Sequence, residues 1–142
     1  MQLPIKKLNP DAKLPTRGSA DSAGLDLYAL GSTRIASGAR VAVPTGIAAS
    51  IPHGHVGMLF IRSGHALKHG LSLANGTGVV DADYRGEIMA VVHNTGMQPY
   101  TIHDGERFCQ LVIQEYVHAL VVETYSMSGT DRGGAGFGST GQ

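Results

Sequence analysis

The chain has 142 residues, of which 42% are hydrophobic and 15% charged, and its 11 basic and 11 acidic side chains cancel to a formal net charge of zero. That length suits one domain with a packed core, and the interspersed charge argues against a general binder of nucleic acid or membrane, which would need a basic face. The lone Cys109 excludes an internal disulfide. The N-terminal MQLPIKKLNPDAKLP has the character of neither a secretory signal nor a transit peptide, and no run approaches the ~18 apolar residues of a membrane span, so a soluble cytoplasmic protein is expected.

Glycines punctuate the chain between short apolar runs, as at Gly31, Gly38, Gly46, Gly54, Gly57, Gly96 and Gly105. The first run of chemical interest is Ser22-Ala-Gly-Leu-Asp-Leu-Tyr28, read as a strand. Asp26 lies in an apolar alternation with Leu25 and Leu27 pointing to the opposite face. Such an acid either faces water at an edge or is buried against a cation or hydrogen-bond donor. Arg40–Pro44 and Val56–Ile61 are further strands. Ser63-Gly-His-Ala-Leu-Lys-His-Gly70 is the one helical segment, with Ser63 expected as its cap and Gly70 as its stop. Arg62-Ser63-Gly64 at that junction combines a guanidinium, a hydroxyl and backbone N–H groups, a set suited to an oxyanion, although, taken alone, a helix cap beside a surface arginine explains it better.

Ser72 to Tyr84 centres on Asn75-Gly76, which predicts a hairpin. The stretch continues as Asn75-Gly-Thr-Gly-Val-Val-Asp-Ala-Asp-Tyr-Arg-Gly-Glu87. If extended, it places Asp81 and Asp83 on one face, where their repulsion favours a metal, a cation or a raised pKa on one of them, and turns Tyr84 to the other. Ile88–His93 and Phe108–Ile113 are strands, and Gln110 is a polar interruption in the second whose amide needs partners. Cys109 there reads as a small buried hydrophobe. His53 and His55 fall in a turn, while His65 and His69 share a helical face, too few for a closed zinc site. The last stretch, 126–142, is rich in Gly, Ser and Thr. It carries Arg132-Gly-Gly-Ala-Gly-Phe-Gly-Ser-Thr140, which lacks the lysine and following helix of a Walker loop but suits a strap with charge for phosphate and a ring for a base.

Many short strands with one small helix imply an all-β fold, a jelly-roll-like distorted barrel, with a β-domain over 1–125 and a mobile C-terminal strap over 126–142. In order and spacing, the segments at Asp26, Arg62–Gly64, Asn75–Glu87, Gln110 and Arg132–Thr140 resemble the five motifs of the trimeric dUTPase family, over about Ala23 to Gly141. The resemblance implies a jelly-roll homotrimer that hydrolyses dUTP to dUMP and pyrophosphate, limiting uracil in DNA and supplying dUMP for dTMP synthesis. Its sites would be shared between subunits, with Mg2+ on the triphosphate as cofactor and neither nucleic acid nor membrane as partner. By the same resemblance Asp81 orients the attacking water, and Tyr84 packs on the deoxyribose. Asn75, Gly78 and Val79 read uracil. Arg62, Ser63, Gly64 and Gln110 contact phosphate, and Asp26 supports the hydrated metal. Arg132, Phe137, Gly138 and Ser139 close the strap. Three positions depart from the family pattern: His65 and Cys109, where apolar and alanine residues are usual, and Ala135, where glycine is frequent. The main alternatives are a dCTP deaminase on the same fold, which would use a glutamate at the pyrimidine, and a nucleotide-gated binding protein. The Asp-x-Asp-Tyr-x-Gly form, with a Phe-bearing tail, favours hydrolysis.

Overall fold

The structure is a computed structural model that describes residues 1–136. In chain order the elements are β1 (Ile5–Lys7), β2 (Thr16–Arg17), β3 (Leu25–Tyr28), β4 (Thr33–Ile35), β5 (Arg40–Pro44), β6 (Ile47–Ala49), β7 (His55–Ile61), α1 (Ser63–His69), β8 (Leu71–Leu73), β9 (Gly78–Val80), β10 (Met89–Asn94), β11 (Tyr100–Ile102) and β12 (Arg107–Glu115). The strands pair as four sheets, ordered β2-β3-β12-β7-β9, β5-β10-β8, β1-β6 and β4-β11. The expected all-β architecture with one short helix is therefore present, but among the described residues the sheets do not close into a barrel.

Strand β12 organises the largest sheet, pairing antiparallel with β3 on one side and β7 on the other. Its alternation would bury every second residue, yet Phe108 and Cys109 are both fully buried. The reason is a bulge: the register with β3 shifts between Arg107 and Cys109, so two successive side chains turn inward. Phe108 and Leu111 join Leu27, Ile35, Val43, Ile47, Leu71, Ile88, Val92 and Ile102 in one continuous core. Burying each of the large side chains contributes about 1.5–3 kcal/mol.

Helix α1 follows β7 directly. Its N-cap is Arg62, in extended conformation and without a side-chain cap bond, so Ser63 is the first helical residue and not the expected cap. The stop at Gly70 is as expected. It adopts a left-handed φ of 65°, and a Cβ there would lie 2.8 Å from the Gly96 nitrogen, so glycine is required twice over.

The Asn75-Gly76 turn does not make a hairpin. Strand β8 pairs with β10 and β9 pairs with β7, so this turn carries the chain from one sheet to another. Beyond β12 the chain has no further strand up to residue 136, and every residue from Gln114 to Gly136 is exposed. Departure from the core thus begins before Ser126, at the end of β12.

Candidate active site

The turn between the two sheets opens a cleft of about 310 Å³, lined among others by Asn75, Gly78, Val79, Asp81, Tyr84 and Glu87. Gly78 sits tight against β7: a Cβ would approach that of Leu59 to 2.9 Å, so the wall here is bare backbone. After β9 the chain turns instead of extending, and Tyr84 N–H donates to the Asp81 carbonyl at 3.2 Å. That turn undoes the expected common face of Asp81 and Asp83. Asp81 lines this cleft and a second one of about 650 Å³ with His53, His55 and Tyr116, whereas Asp83 lines the second and not the first. The Tyr84 hydroxyl donates to the Glu87 carbonyl at 2.9 Å, with its ring folded over Gly86. Arg85 closes the turn by donating to the Ala82 and Tyr84 carbonyls. Glu87 accepts from Gly46 N–H at 2.7 Å, tying the loop to the core. Asp81 is left as an exposed carboxylate on a braced turn, placed to accept a hydrogen bond from water.

The other motif residues gather elsewhere. Asp26, Arg62, Ser63 and Gln110 line a cavity of about 200 Å³ with Gly18, Ser22 and Gly24. Strand β3 is interior, and Asp26 is only 6% exposed. An acid so placed needs cations, and it has two. Arg62 Nε lies 3.2 Å from Oδ1, and Arg107 Nη1 lies 3.2 Å from Oδ2. Arg62 also donates through Nη1 to the Arg107 carbonyl at 3.0 Å. Two guanidinium groups against one carboxylate leave one positive charge in excess, and of the two only Arg62 lines the cavity, together with Ser63. Gln110 is opposite Asp26 in register, and its amide packs over Gly24. Arg107 was not singled out from sequence. The sequence carried a signal for one cation beside Asp26 but none for a second, which the pairing of β12 with β3 supplies.

A third cavity, of about 220 Å³, adjoins Arg62, Ser63 and Gly64 and is lined also by His65, Lys68, His69, Tyr100 and Glu106. Glu106 is the hub. Its Oε1 accepts from His65 Nε2 at 2.7 Å and from the Tyr100 hydroxyl at 2.9 Å, and its Oε2 accepts from His103 N–H at 2.8 Å. Burial pushes the Glu106 carboxyl up, but the His103 N–H and the bonds from His65 and Tyr100 outweigh it and hold it below its ordinary value. Burial, then the hydrogen bond to Glu106 and last that residue's charge, push Tyr100 up to about 12. The sequence placed His65 and His69 on one helical face but gave no sign of Glu106. Burial, with the Asp26 charge second, raises the Cys109 thiol, so it stays neutral and serves as a small core residue, as expected.

The single chain therefore does not bring all the motif residues together. The Asn75–Tyr84 set and the Asp26–Arg62–Ser63–Gln110 set line separate cavities. Arg132 is exposed, in a turn spanning residues 131–134. Phe137, Gly138 and Ser139 lie outside the described residues. Among the described residues, no group of three or more His, Cys, Asp or Glu side chains could hold a metal ion, and no helix is long and apolar enough to cross a membrane.

Fold and site together define a small all-β domain with a carboxylate-bearing cleft and a separate cavity that Arg62 lines beside its ion pair with Asp26. The chain belongs to the dUTPase family, whose model matches residues 10–141. It is 44% identical over 138 residues to a deoxyuridine 5'-triphosphate nucleotidohydrolase of Anaeromyxobacter sp. (strain Fw109-5), covering 97% of this chain and 94% of that protein. To the protein of that name from Nautilia profundicola it is 40% identical over 142 residues, with both chains covered in full. Among solved structures it is similar to the Staphylococcus bacteriophage 80alpha dUTPase with dUPNHPP, with a TM-score of 0.92, 28% identity and 99% of each chain covered.

Proposed function

We propose that the protein hydrolyses dUTP to dUMP and pyrophosphate, as a homotrimer in which each active site combines residues of neighbouring subunits. The observation that carries this reading is the separation just described: in a dUTPase-family chain, the Asp81 cleft and the arginine pocket are distinct surfaces of one protomer. Association of copies would bring one protomer's cleft to another's arginines. The segment after β12 supports association. Val117, Leu120, Val121 and Tyr125 are 90%, 86%, 94% and 100% exposed, more apolar surface than a free arm keeps in water without covering it.

In this reading Asp81 accepts a proton from a water aligned behind the α-phosphorus, on the side opposite the departing pyrophosphate. Arg62 and the Ser63 hydroxyl, with Gly64 and Gln110 beside them, take the phosphates, and Arg107 adds to the positive field through Asp26. Residues 126–142 serve as a strap, with Arg132 bringing further positive charge and Phe137, Gly138 and Ser139 covering the nucleotide. Uracil occupies the backbone slot at Asn75, Gly78 and Val79. Such a slot rejects the thymine methyl by contact and cytosine by leaving buried polar groups unmatched. The Tyr84 ring, fixed by its bond to Glu87, packs on the deoxyribose where a 2'-hydroxyl would collide.

The donor set fits a magnesium ion that arrives on the triphosphate. Both Asp26 oxygens are engaged by guanidinium groups, so Asp26 would reach the ion through water and not as a direct ligand. When bound, Mg2+ would neutralise charge on the phosphates. We place the activity in the cytoplasm, a compartment suited to a buried free thiol.

The test is a pyrophosphate-release assay across dUTP, UTP, dTTP and dCTP with magnesium, run beside sedimentation of the same sample. Turnover confined to dUTP by a trimer is expected. A fully active monomer, or a trimer inert towards all four, refutes the proposal, and ammonia released from dCTP would assign a deaminase instead.

A further inference from the structure

Helix α1 is held to the rest of the chain in an unusual way. Of its seven residues only His65 is buried among the described residues, and Leu67, its large apolar side chain, is 87% exposed. A short helix normally docks by an apolar stripe. This one docks through polar bonds to three successive residues, Glu106, Arg107 and Phe108. Arg62 N–H donates to the Phe108 carbonyl at 3.1 Å, Arg62 Nη1 donates to the Arg107 carbonyl at 3.0 Å, and His65 Nε2 meets Glu106 Oε1 at 2.7 Å. The last is the only one of the three made by a side chain within the helix. The far wall is equally ordered: the Tyr100 ring stacks on His69 with centroids 4.1 Å apart and meets His65 edge-on at 5.9 Å, while its hydroxyl fixes the same Glu106 oxygen.

We propose that His65 is a positioning residue for phosphate binding, setting the place of Arg62, Ser63 and Gly64 through its bond to Glu106. The inference rests on the reading of Arg62 and Ser63 as phosphate contacts. The His65 rotamer is fixed from two sides, by Glu106 and by the Tyr100 edge, so the first turn of α1 has one seat on the start of β12. Arg107, which shares Asp26 with Arg62, is the very next residue after Glu106, so the His65 bond and the arginine pocket move as one unit. Replacing His65 by an apolar side chain of similar size fills the space but removes one of the two donors to Glu106 Oε1, leaving Tyr100 alone there, and frees the turn to shift. The consequence falls on substrate affinity and not on the hydrolytic step, because Asp81 and its braced turn lie in another cavity.

The test compares His65→Leu, His65→Gln and Glu106→Gln with the unaltered protein. KM and kcat for dUTP are measured by pyrophosphate release, and affinity for a non-hydrolysable α,β-imido dUTP by calorimetry. His65→Leu is expected to raise KM and weaken analogue binding about fivefold or more, with kcat changed less than twofold. His65→Gln keeps an N–H able to reach Glu106 and should restore both to within about twofold. Glu106→Gln, which places an amide among three donors, should behave as His65→Leu does, and it decides the matter if the leucine variant does not fold. An unchanged KM in both His65→Leu and Glu106→Gln, a fall confined to kcat, or a glutamine variant as impaired as the leucine one would overturn the proposal. The analogue-binding arm reads positioning even if the unaltered protein fails to turn dUTP over, so failure of the functional reading is distinguishable.

Discussion

Replacing Asp26 by asparagine tests the electrostatic reasoning most directly. The side chain keeps its shape and loses its charge, leaving Arg62 and Arg107 with no carboxylate between them. Breaking a buried ion pair from one side costs about 3–5 kcal/mol when both groups are fully desolvated. Here the acid is 9% exposed at its side chain, but the two guanidinium groups are 34% and 44% exposed, and water recovers part of the loss. We therefore expect about 2 kcal/mol of destabilisation, which for a domain of this size lowers Tm by roughly 4–8 °C. Thermal and urea unfolding at fixed protein concentration measure it, since association makes apparent stability concentration-dependent. A double-mutant cycle with Arg107→Gln should recover part of the loss, because that change removes one of the stranded charges. A loss under about 0.5 kcal/mol, or strict additivity in the cycle, would show that Asp26 is not held by these arginines as described.

Four further outcomes are expected. Asp81→Asn should lower kcat for dUTP about 10²–10⁴-fold while binding of the imido analogue persists, checked by pyrophosphate release and calorimetry. Deleting the residues after Ser128 should largely abolish turnover while sedimentation shows an unchanged oligomer, whereas undiminished activity would remove the strap from the mechanism. Tyr84→Ala should narrow the ratio of dUTP to UTP turnover, and a constant ratio would mean the ring does not police the sugar. The pH prediction follows from Glu106, whose carboxyl is held below its ordinary value in the folded chain. A depressed carboxyl contributes stability above its unfolded pKa and loses it as pH falls through the folded value. Glu106→Gln should thus unfold with a shallower dependence on pH below about 4.5 than the unaltered protein, and equal slopes in acid would contradict the bonds drawn to that carboxylate.

Much of the framework was legible because it is local. Short β-branched runs between glycines became β5, β7, β10 and β12, and Gly70 ended the helix where its left-handed conformation requires it. What was not legible depended on partners distant in sequence. Asn75-Gly76 has the composition of a hairpin turn, but β10 and β7 compete for its flanking strands and win, so the turn crosses between sheets. Asp81 and Asp83 would share a face if extended, yet the chain turns at Asp81, so that both line the second cavity but only Asp81 reaches the first cleft. Asp26 could be read as needing a cation but not as needing two, since Arg107 reaches it only through the pairing of β12 with β3. His65 and Glu106, 41 residues apart, carry no joint signature at all.

The arrangement of charge also accounts for why the motif residues belong on separate surfaces. A guanidinium beside Asp81 in the same chain would pair with it permanently, occupying the carboxylate that must accept a proton and spending positive charge that phosphate should receive. Among the described residues Asp81 has no salt-bridge partner, while Arg62 and Arg107 are tempered by Asp26 alone. Two cations sharing one anion keep a residual field without collapsing onto the nearest acid. In the proposed trimer these groups meet only across copies and around a nucleotide whose phosphates lie between them. The ligand then supplies the negative charge that the arginines lack, and Asp81 keeps its lone pairs for water. A Glu placed to pair with Arg62 from within its own chain would undo that separation.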